Sequence, residues 1–378
     1  MAAEQGRPRV LYWTEVFLPY VGGTEVVGAQ LIEGLKQRGY DLVIATSHGH
    51  LDLPDEGLHD GIPVYRFPFR TAAASRDVGV FADVRRRVAE LKRSFAPDLV
   101  HVHAVGPSLL FHLRSIAAHP APWLFTPHTP LTDRLPGQDT ILGEAFRSTD
   151  WTVCVSEAQR ESIRPLSPEA SARSSVIYWG LEEPTLSPAP LPFEEPRLLC
   201  LGRLVPDKGL DVALAAFPNL VERFPRLRLT VIGEGPSRPE LERQAASLGV
   251  REAVDFLGRV PEVHSHLNAA TLILMPSRWE ETFGLVALEA ALMGRPVVAT
   301  RLGALPEVVL HERTGLLVPS EDSAALAEAA SSLLNHPEKA IEMGRAARQR
   351  ALERFTLDRC VDDYDALYRR LLARRMSG

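Results

Sequence analysis

The sequence has little of several features that mark whole classes of protein. It contains three cysteines, Cys154, Cys200 and Cys360, which stand far apart, so we expect reduced structural thiols rather than disulfides or a metal cluster. No apolar run approaches the roughly 20 residues of a membrane-spanning helix. The first residues, 1–9, are polar and lack the apolar core of a signal peptide, which predicts a cytoplasmic protein.

An excess of positive charge is also absent. The net charge is -6, which gives no reason to expect nucleic acid as a partner. One basic run, Arg85-Arg86-Arg87 with Lys92-Arg93 on the same predicted helix, leaves two interpretations open. It is either a solvated helix face or a peripheral contact with anionic lipid at the inner face of the membrane.

What the sequence does contain is a regular alternation of β-rich runs and helical segments, which predicts parallel, doubly wound α/β sheets. The helical segments in the first half include 26–38 and 81–95. The β-rich runs there are 10–13, 41–46, 99–102, 123–126, 151–155 and 175–178. The alternation restarts with runs at 198–201, 229–232, 254–257, 272–275, 297–300 and 316–318.

Between these two series lies a segment, residues 184–196, with five prolines, which excludes a helix or a central strand. The chain of 378 residues also exceeds what one core usually serves. We therefore predict an N-terminal domain over 1–183, a linker over 184–196, a C-terminal domain over 197–356 and a helical tail over 357–378. In open parallel sheets, ligands bind beyond the carboxyl ends of the strands, so we expect the two domains to face each other across a cleft.

The most informative stretch follows the predicted strand 272–275. A short polar loop leads to Thr282-Phe283-Gly284, which is predicted to open a helix, and the free amides of a helix start suit a phosphate. Glu281 precedes that helix, and Glu289 lies about 12 Å further along it. One carboxylate could therefore hold each end of an elongated polyol phosphate, such as a nucleotide-sugar. Taken alone, an N-cap Thr282 with two solvated glutamates is the commoner pattern.

Neighbouring strand ends favour the functional interpretation. Arg203 and Lys208 flank a proline-bent loop after 198–201, where two cations could hold a diphosphate and neutralise it as a leaving group. Gly22 and Gly23 follow the first strand and could present bare amides to an anion, although a flexible turn is equally open. A third glycine loop begins at Gly233. It resembles half of a dinucleotide fingerprint, but an arginine stands where the third glycine should be, which argues against NAD.

The ordered set of motifs resembles the retaining GT-B glycosyltransferases of glycosyltransferase family 4, which have two Rossmann-like domains. The resemblance spans nearly the whole chain. It rests on residues 22–25, 202–209, 233–236, 256–258, 276–300, 303–309 and 314–319.

The resemblance implies roles for individual positions. Glu281 would hold hydroxyls of the donor sugar, Arg203 and Lys208 would grip the diphosphate, and His128 would lie near the reacting sugar in the acceptor domain. For His128 a buried core histidine is an equally open interpretation. The implied donor-binding positions are Gly22, Gly23, Gly233, Leu257, Thr282, Phe283, Gly284, Leu285 and Glu289, with the last holding the ribose and the main chain near Leu257 meeting the base.

The implied activity is transfer of a hexose-type sugar from a UDP-, GDP- or ADP-sugar to an unidentified hydroxyl acceptor, which is a glycan, a lipid-linked molecule or a small molecule. The resemblance implies retention of anomeric configuration and no metal. A phosphorylase is the nearest alternative, and an epimerase or a non-catalytic nucleotide-sugar sensor is further away. Release of nucleoside diphosphate from a sugar donor would distinguish the implied transferase from a phosphorylase.

Two histidines and two aspartates have spacings that metal sites use. His101 and His103 share a strand face, but no third ligand is evident, so a structural role is predicted. Asp363 and Asp365 spell Asp-x-Asp, but they lie in the helical tail, where a solvated face is predicted. The resemblance implies that this helix crosses back to the N-terminal domain.

The chain departs from the family pattern at two places. Trp179 stands where the family usually has Asn, which bears on the hinge or on the acceptor side of the cleft. Residues 268–271 lack the Asp that commonly precedes the next strand, a change that we expect to matter little.

Overall fold

The chain folds into two units, described by a computed structural model over residues 6–20, 22–103, 105–129 and 140–376. Unit 1 consists of Met1–Gly180 and Leu357–Gly378, and unit 2 of Leu181–Thr356.

Unit 1 is built on an eight-stranded sheet that is parallel except for one edge hairpin, and its strand order is β3-β4-β2-β1-β5-β6-β7-β8. The strands are β1 (Arg9–Trp13), β2 (Asp41–Ser47), β3 (Glu56–His59), β4 (Ile62–Phe67), β5 (Leu99–Val102), β6 (Trp123–Phe125), β7 (Trp151–Cys154) and β8 (Ser174–Val176). The helices are α1 (Gly23–Gln37), α2 (Phe69–Ala74), α3 (Val78–Phe95), α4 (Pro107–Leu113), α5 (Ile141–Ser148), α6 (Glu157–Ile163) and α7 (Pro168–Ala172). The six predicted runs of this half are confirmed as strands, whereas β3 and β4 were not predicted.

The core of unit 1 explains this architecture. Alternate residues of β1 face opposite sides of the sheet, so Leu11 and Trp13 pack into one apolar layer and Val10 and Tyr12 into the other. All four side chains are buried. A strand with two buried faces needs helices on both sides, which is the doubly wound arrangement that was predicted.

Unit 2 carries a six-stranded parallel sheet of order β11-β10-β9-β12-β13-β14. The strands are β9 (Arg197–Leu201), β10 (Arg228–Ile232), β11 (Val254–Gly258), β12 (Leu272–Met275), β13 (Val297–Thr300) and β14 (Gly315–Val318). The helices are α8 (Leu210–Arg223), α9 (Arg238–Ser247), α10 (His264–Ala269), α11 (Leu285–Leu292), α12 (Leu305–Val308), α13 (Ser323–Asn335) and α14 (Pro337–Arg354). All six predicted strands are confirmed. Strand order reverses between β9 and β12, and a crevice opens at such a switch point.

The proline-rich segment 184–196 lies in unit 2 and is held there by hydrogen bonds. Asn268 Oδ1 accepts from the Ala189 amide (2.7 Å) and from the guanidinium of the buried Arg295 (2.6 Å). The Thr271 hydroxyl donates to a carbonyl of the same segment (2.9 Å). Asn268 and Thr271 belong to the stretch that departs from the family pattern, so these residues have a structural role of their own.

The last helix, α15 (Leu357–Met376), belongs to unit 1 and packs against α1. Asp365 of its Asp-x-Asp accepts a hydrogen bond from the Tyr40 hydroxyl (2.8 Å) and pairs with Arg369 (2.9 Å). Among the described residues, no group of three or more His, Cys, Asp or Glu is arranged to hold a metal ion. No described helix combines the length and the apolar composition needed to cross a membrane.

The basic run on α3 differs from the prediction, because Lys92 does not lie at the surface. Its side chain is 1% exposed. The Nζ atom lies 3.2 Å from both Nδ1 and the carbonyl oxygen of His112, and 5.4 Å from the centroid of the Trp13 ring. Arg86 pairs with two acidic residues of its own helix, and Arg87 pairs with Asp55. A solvated face or a lipid contact can therefore involve the exposed residues of this run but not Lys92.

Lys92→Met is predicted to raise the melting temperature at pH 6–7. Burial lowers the pKa of Lys92 to about 7, so between about 7 and the ordinary value near 10.4 the unfolded chain binds the extra proton and stability rises with pH. The gain from Lys92→Met should therefore be fully present below about pH 7 and shrink towards pH 10. Thermal melts over this range measure it, and the exposed Arg93→Met is the control. A lower melting temperature for Lys92→Met at pH 6 would contradict this account.

Candidate functional site

The candidate site forms where the loops after β9 and β12 meet, because these strands are neighbours and both loops leave the carboxyl edge of the sheet. A backbone hydrogen bond joins the two loops, in which the Arg278 amide donates to the Asp207 carbonyl (2.8 Å). The predicted cations and the predicted glutamate therefore come from adjacent elements.

An ion pair lies at the centre of this region. Lys208 Nζ is 2.5 Å from Glu281 Oε1, and the Ser277 hydroxyl donates to the same oxygen at 2.8 Å. Ser277 is buried, so it fixes the carboxylate from the protein side. The other carboxylate oxygen, Oε2, makes no hydrogen bond to the described residues and is available to a ligand.

Arg203 differs from Lys208 in its surroundings. Its side chain is exposed, and it forms no ion pair within the part of the chain that the structure describes. The loop thus combines one cation committed to Glu281 with one that is free to meet an anion. This division of roles was not predictable from the sequence, which places both cations on the same loop.

Arg278 is a structural residue of the site that the sequence interpretation missed. Its guanidinium makes two hydrogen bonds to Asp211, at 2.6 and 2.5 Å, and pairs with Glu321 at 3.0 Å. A bidentate pair of this kind fixes both position and orientation. Arg278 therefore ties the loop of Glu281 to the first turn of α8, just after Lys208.

The helix after Glu281 begins later than predicted. Its first residue is Leu285, and Gly284 is the N-cap with a left-handed φ of 98°. Thr282 therefore lies in the loop, and the prediction that Thr282-Phe283-Gly284 opens the helix is wrong. No side chain caps the helix. The Ala287 amide donates to the Gly284 carbonyl (2.9 Å), so the amides of Leu285 and Val286 are the ones left for a ligand. The Phe283 ring is buried against Phe355, at a centroid distance of 5.6 Å, so only its main chain is available there.

Glu289 is not a solvated helix residue. It is half-buried on α11 and has no hydrogen bond or ion pair to any residue that the structure describes. Burial raises the pKa of its carboxyl to about 7. A carboxylate that is partly desolvated and unpaired is ready to accept hydroxyl donors from a ligand.

The glycine loop at Gly233 packs against the loop that carries Arg203 and Lys208. Gly233 lies directly against Gly202, where a Cβ would be 1.9 Å from the Gly202 carbonyl oxygen, so any larger residue would push the loops apart. Leu257 is 45% exposed and falls at a bulge, because β10 pairs with Phe256 and Gly258 on either side of it. Its main chain is thereby free of the ladder.

The predicted glycine pair in unit 1 forms the start of α1, with Gly22 as N-cap and Gly23 as first residue. The binding of an anion by these amides stays a prediction. A Cβ at Gly22 would lie 2.3 Å from Glu25 Oε2, so a carboxylate already faces this end of the helix.

His128 lies after β6 in unit 1, in an aromatic cluster. Its ring centroid is 4.0 Å from that of His103 and 4.9 Å from that of Trp179. Burial lowers the pKa of His128 to about 3, so the ring is neutral. His101, on the same face of β5 as His103, bonds to Tyr368 (2.6 Å) and Thr126 (2.8 Å), in agreement with the predicted structural role. Trp179, which departs from the family pattern, therefore contacts His128 directly.

Two models of known protein families match the chain, one in each half. The model described as Glycosyltransferase Family 4 matches residues 21–183. The model described as Glycosyl transferases group 1 matches residues 195–336.

Among characterised relatives, the chain is 40% identical over 170 residues to a GDP-mannose-dependent alpha-(1-6)-phosphatidylinositol monomannoside mannosyltransferase of Mycolicibacterium smegmatis. This match covers 43% of the chain and 44% of the relative, which is less than half of the length of either. The chain is also 32% identical over 299 residues to a glycogen synthase of Mycobacterium tuberculosis, covering 72% of the chain and 69% of the relative.

Solved structures agree on the fold. Sucrose-phosphate synthase from Thermosynechococcus elongatus superimposes with a TM-score of 0.83 at 23% identity, over 97% of this chain and 100% of that one. The Anabaena protein HepE, solved with UDP and glucose, gives a TM-score of 0.80 at 21% identity, over 95% and 98% of the two chains. These likenesses establish the GT-B fold that the motifs predicted.

Gly303→Ala is predicted to loosen the loop that carries Glu281. Gly303 has a φ of 51°, and a Cβ there would lie 2.4 Å from the Glu281 carbonyl oxygen. Gly249→Ala is a matched control, because Gly249 also has a positive φ, 70°, but nothing lies within 4 Å. Both variants should lose about 1–2 kcal/mol of stability from the backbone conformation. Only Gly303→Ala should accelerate amide hydrogen exchange in residues 276–284, and equal exchange in the two variants would refute the steric argument.

Proposed function

The chain belongs to glycosyltransferase family 4, and from that premise we propose that it moves a hexose-type sugar from a nucleoside-diphosphate sugar to an acceptor hydroxyl, with retention of configuration and without a metal ion. One observation carries the proposal. It is the Lys208–Glu281 pair, held by Ser277 beside the uncapped start of α11. Cation and carboxylate contact each other four residues before the start of α11, and such a grouping suits the junction between a sugar and a diphosphate.

The diphosphate would be bound by Arg203, Lys208 and the first-turn amides of α11. Arg203 has no competing carboxylate among the described residues, and Lys208 retains two further N–H donors beyond the one directed at Glu281. As the bond between the anomeric carbon and the phosphate oxygen breaks, negative charge grows on the leaving group. Fixed positive groups at that position lower the barrier.

The sugar would be held by Glu281 Oε2, since Oε1 is occupied by Lys208 and Ser277. The acceptor oxygen forms its bond to the anomeric carbon on the face that the diphosphate leaves, and a phosphate oxygen of the leaving group takes the acceptor proton. This arrangement retains the anomeric configuration. His128, as a neutral ring in unit 1, would bind a sugar hydroxyl.

The nucleotide would extend along α11. Glu289 would accept both ribose hydroxyls, and the free main chain at Leu257 would meet the base. The relatives differ in the nucleotide that their names give. The mannosyltransferase named above is GDP-mannose-dependent, and the Anabaena protein was solved with UDP. We therefore propose a UDP-, GDP- or ADP-sugar as donor.

The acceptor would be a hydroxyl of a glycan, a lipid-linked molecule or a small molecule. We also propose a cytoplasmic location. Arg85 and Arg93 on α3 are exposed and form no ion pair among the described residues, so they are available for contact with an anionic membrane surface.

Calorimetric titration with UDP, GDP, ADP and their sugars tests the proposal directly. Glu281→Gln should bind the preferred nucleoside diphosphate within about threefold of wild type while turnover falls about a hundredfold, because the carboxylate acts on the sugar rather than on the phosphates. Lys208→Ala should weaken both binding and turnover. The exposed Lys339→Ala serves as the control. Release of sugar phosphate instead of nucleoside diphosphate, or unchanged activity in both site variants, would disprove the assignment.

Nucleotide binding should also depend on pH through Glu289. Ribose hydroxyls donate to the ionised carboxylate, whose pKa in the free protein is about 7. Affinity should therefore be constant above about pH 7 and fall below it by up to about tenfold per pH unit. Glu289→Gln should bind more weakly at pH 8 and lose the pH dependence, whereas the exposed neighbour Glu280→Gln should keep it. A profile unchanged by Glu289→Gln would rule out this role.

A further inference from the structure

His103 is a buried polar residue that hydrogen bonding does not explain. It directly follows β5, and its side chain is 1% exposed. Its backbone amide donates a hydrogen bond to the Trp13 carbonyl oxygen (2.7 Å). Neither ring nitrogen makes a hydrogen bond to another residue that the structure describes. A buried polar atom without a partner destabilises the folded state, so an apolar residue of similar size would suit this position better.

A second histidine, on β5 itself, provides the contrast. His101 lies two residues earlier on the same face and is equally buried. Both of its ring nitrogens are used, one by Tyr368 and one by Thr126. His101 therefore contributes to stability through its polar atoms, whereas His103 does not. The two residues are two positions apart and equally buried, and they differ in whether their ring nitrogens have partners.

What His103 does contact is His128. Their ring centroids are 4.0 Å apart with planes inclined by 58°, which is the shortest ring-to-ring separation found among the described residues. Trp179 also packs on His128, at 4.9 Å and 38°. Both ring nitrogens of His128 are buried and make no hydrogen bond to the residues described. Its orientation is therefore set by these two rings rather than by a hydrogen-bond partner.

We propose that His103 and Trp179 are positioning residues that fix the His128 ring, and that His103 is retained for this purpose although it lowers folding stability. The inference rests on the proposed role of His128 at the donor sugar. It also assigns a purpose to Trp179, because an asparagine at that position would offer His128 no aromatic surface. Buried groups whose local environment is unfavourable often mark functional sites.

The matched variants are His103→Leu and His101→Leu. His103→Leu should leave the melting temperature unchanged or raise it, keep the affinity for nucleoside diphosphate, which binds in unit 2, and lower kcat about tenfold to a hundredfold by misplacing His128. His101→Leu should lower the melting temperature, because Tyr368 and Thr126 then lose their partner. A residue that served stability alone could not give higher stability together with lower turnover.

Coupling to His128 is tested by a double variant. If His103 acts through His128, then His103→Leu combined with His128→Ala should be no slower than His128→Ala alone. Trp179→Phe should retain most of the turnover, whereas Trp179→Asn should lose it. In protein labelled with ¹⁵N-histidine, the ring signals of His128 should shift in His103→Leu.

Several outcomes would overturn the inference. Wild-type turnover of His103→Leu beside an impaired His128→Ala would remove His103 from the mechanism and leave the proposed function standing. A melting temperature lowered as far as in His101→Leu, or failure to fold, would make His103 a structural residue. Unimpaired turnover of His128→Ala would also end the inference, while the Glu281 and Lys208 variants would still decide the proposed function.

Discussion

The ion pair between Lys208 and Glu281 is the interaction on which the candidate site depends. It joins loops that leave adjacent strands. Ser277 donates to the Glu281 carboxylate, and Arg278 ties the loop of Glu281 to α8 through Asp211. A half-buried pair of this kind contributes little net stability, because desolvation offsets much of the attraction. Its value lies in geometry, since it orients one carboxylate oxygen outwards and keeps a cation beside an uncapped helix start. In the proposed complex, the diphosphate would give the lysine a second anionic partner without requiring the lysine to be repositioned.

Other side chains in the chain are also wholly or partly buried without a described hydrogen-bond partner, which lowers folding stability but leaves their polar atoms uncommitted. Glu289 is half-buried without a partner, and its raised pKa reflects that burial. His103 is fully buried with both ring nitrogens unused by its described neighbours. Lys92, by contrast, is buried but contacts His112 and Trp13. Glu289 and His103 are therefore partly and fully buried, respectively, without a described partner, whereas Lys92 has one.

Much of the fold was predictable, because fully buried strands produce apolar runs that depend only on local sequence. All twelve predicted strands are present, with bounds within a few residues. The hairpin β3–β4 was missed, since β3 is an edge strand with half of its residues exposed. Glu281, Lys208 and Glu289 were identified by motif, but Ser277, Arg278 and the contact of Trp179 with His128 were not. Those contacts depend on how distant segments meet, and Lys92 and the later start of α11 were misjudged for the same reason.

A crystal structure with an intact, non-hydrolysable nucleotide-sugar tests the central claim most directly. The account predicts the diphosphate against Arg203, Lys208 and the amides of residues 283–285, with a sugar hydroxyl on Glu281 Oε2 and the ribose on Glu289. A nucleotide-sugar bound elsewhere, with the Lys208–Glu281 pair undisturbed and solvated, would contradict it.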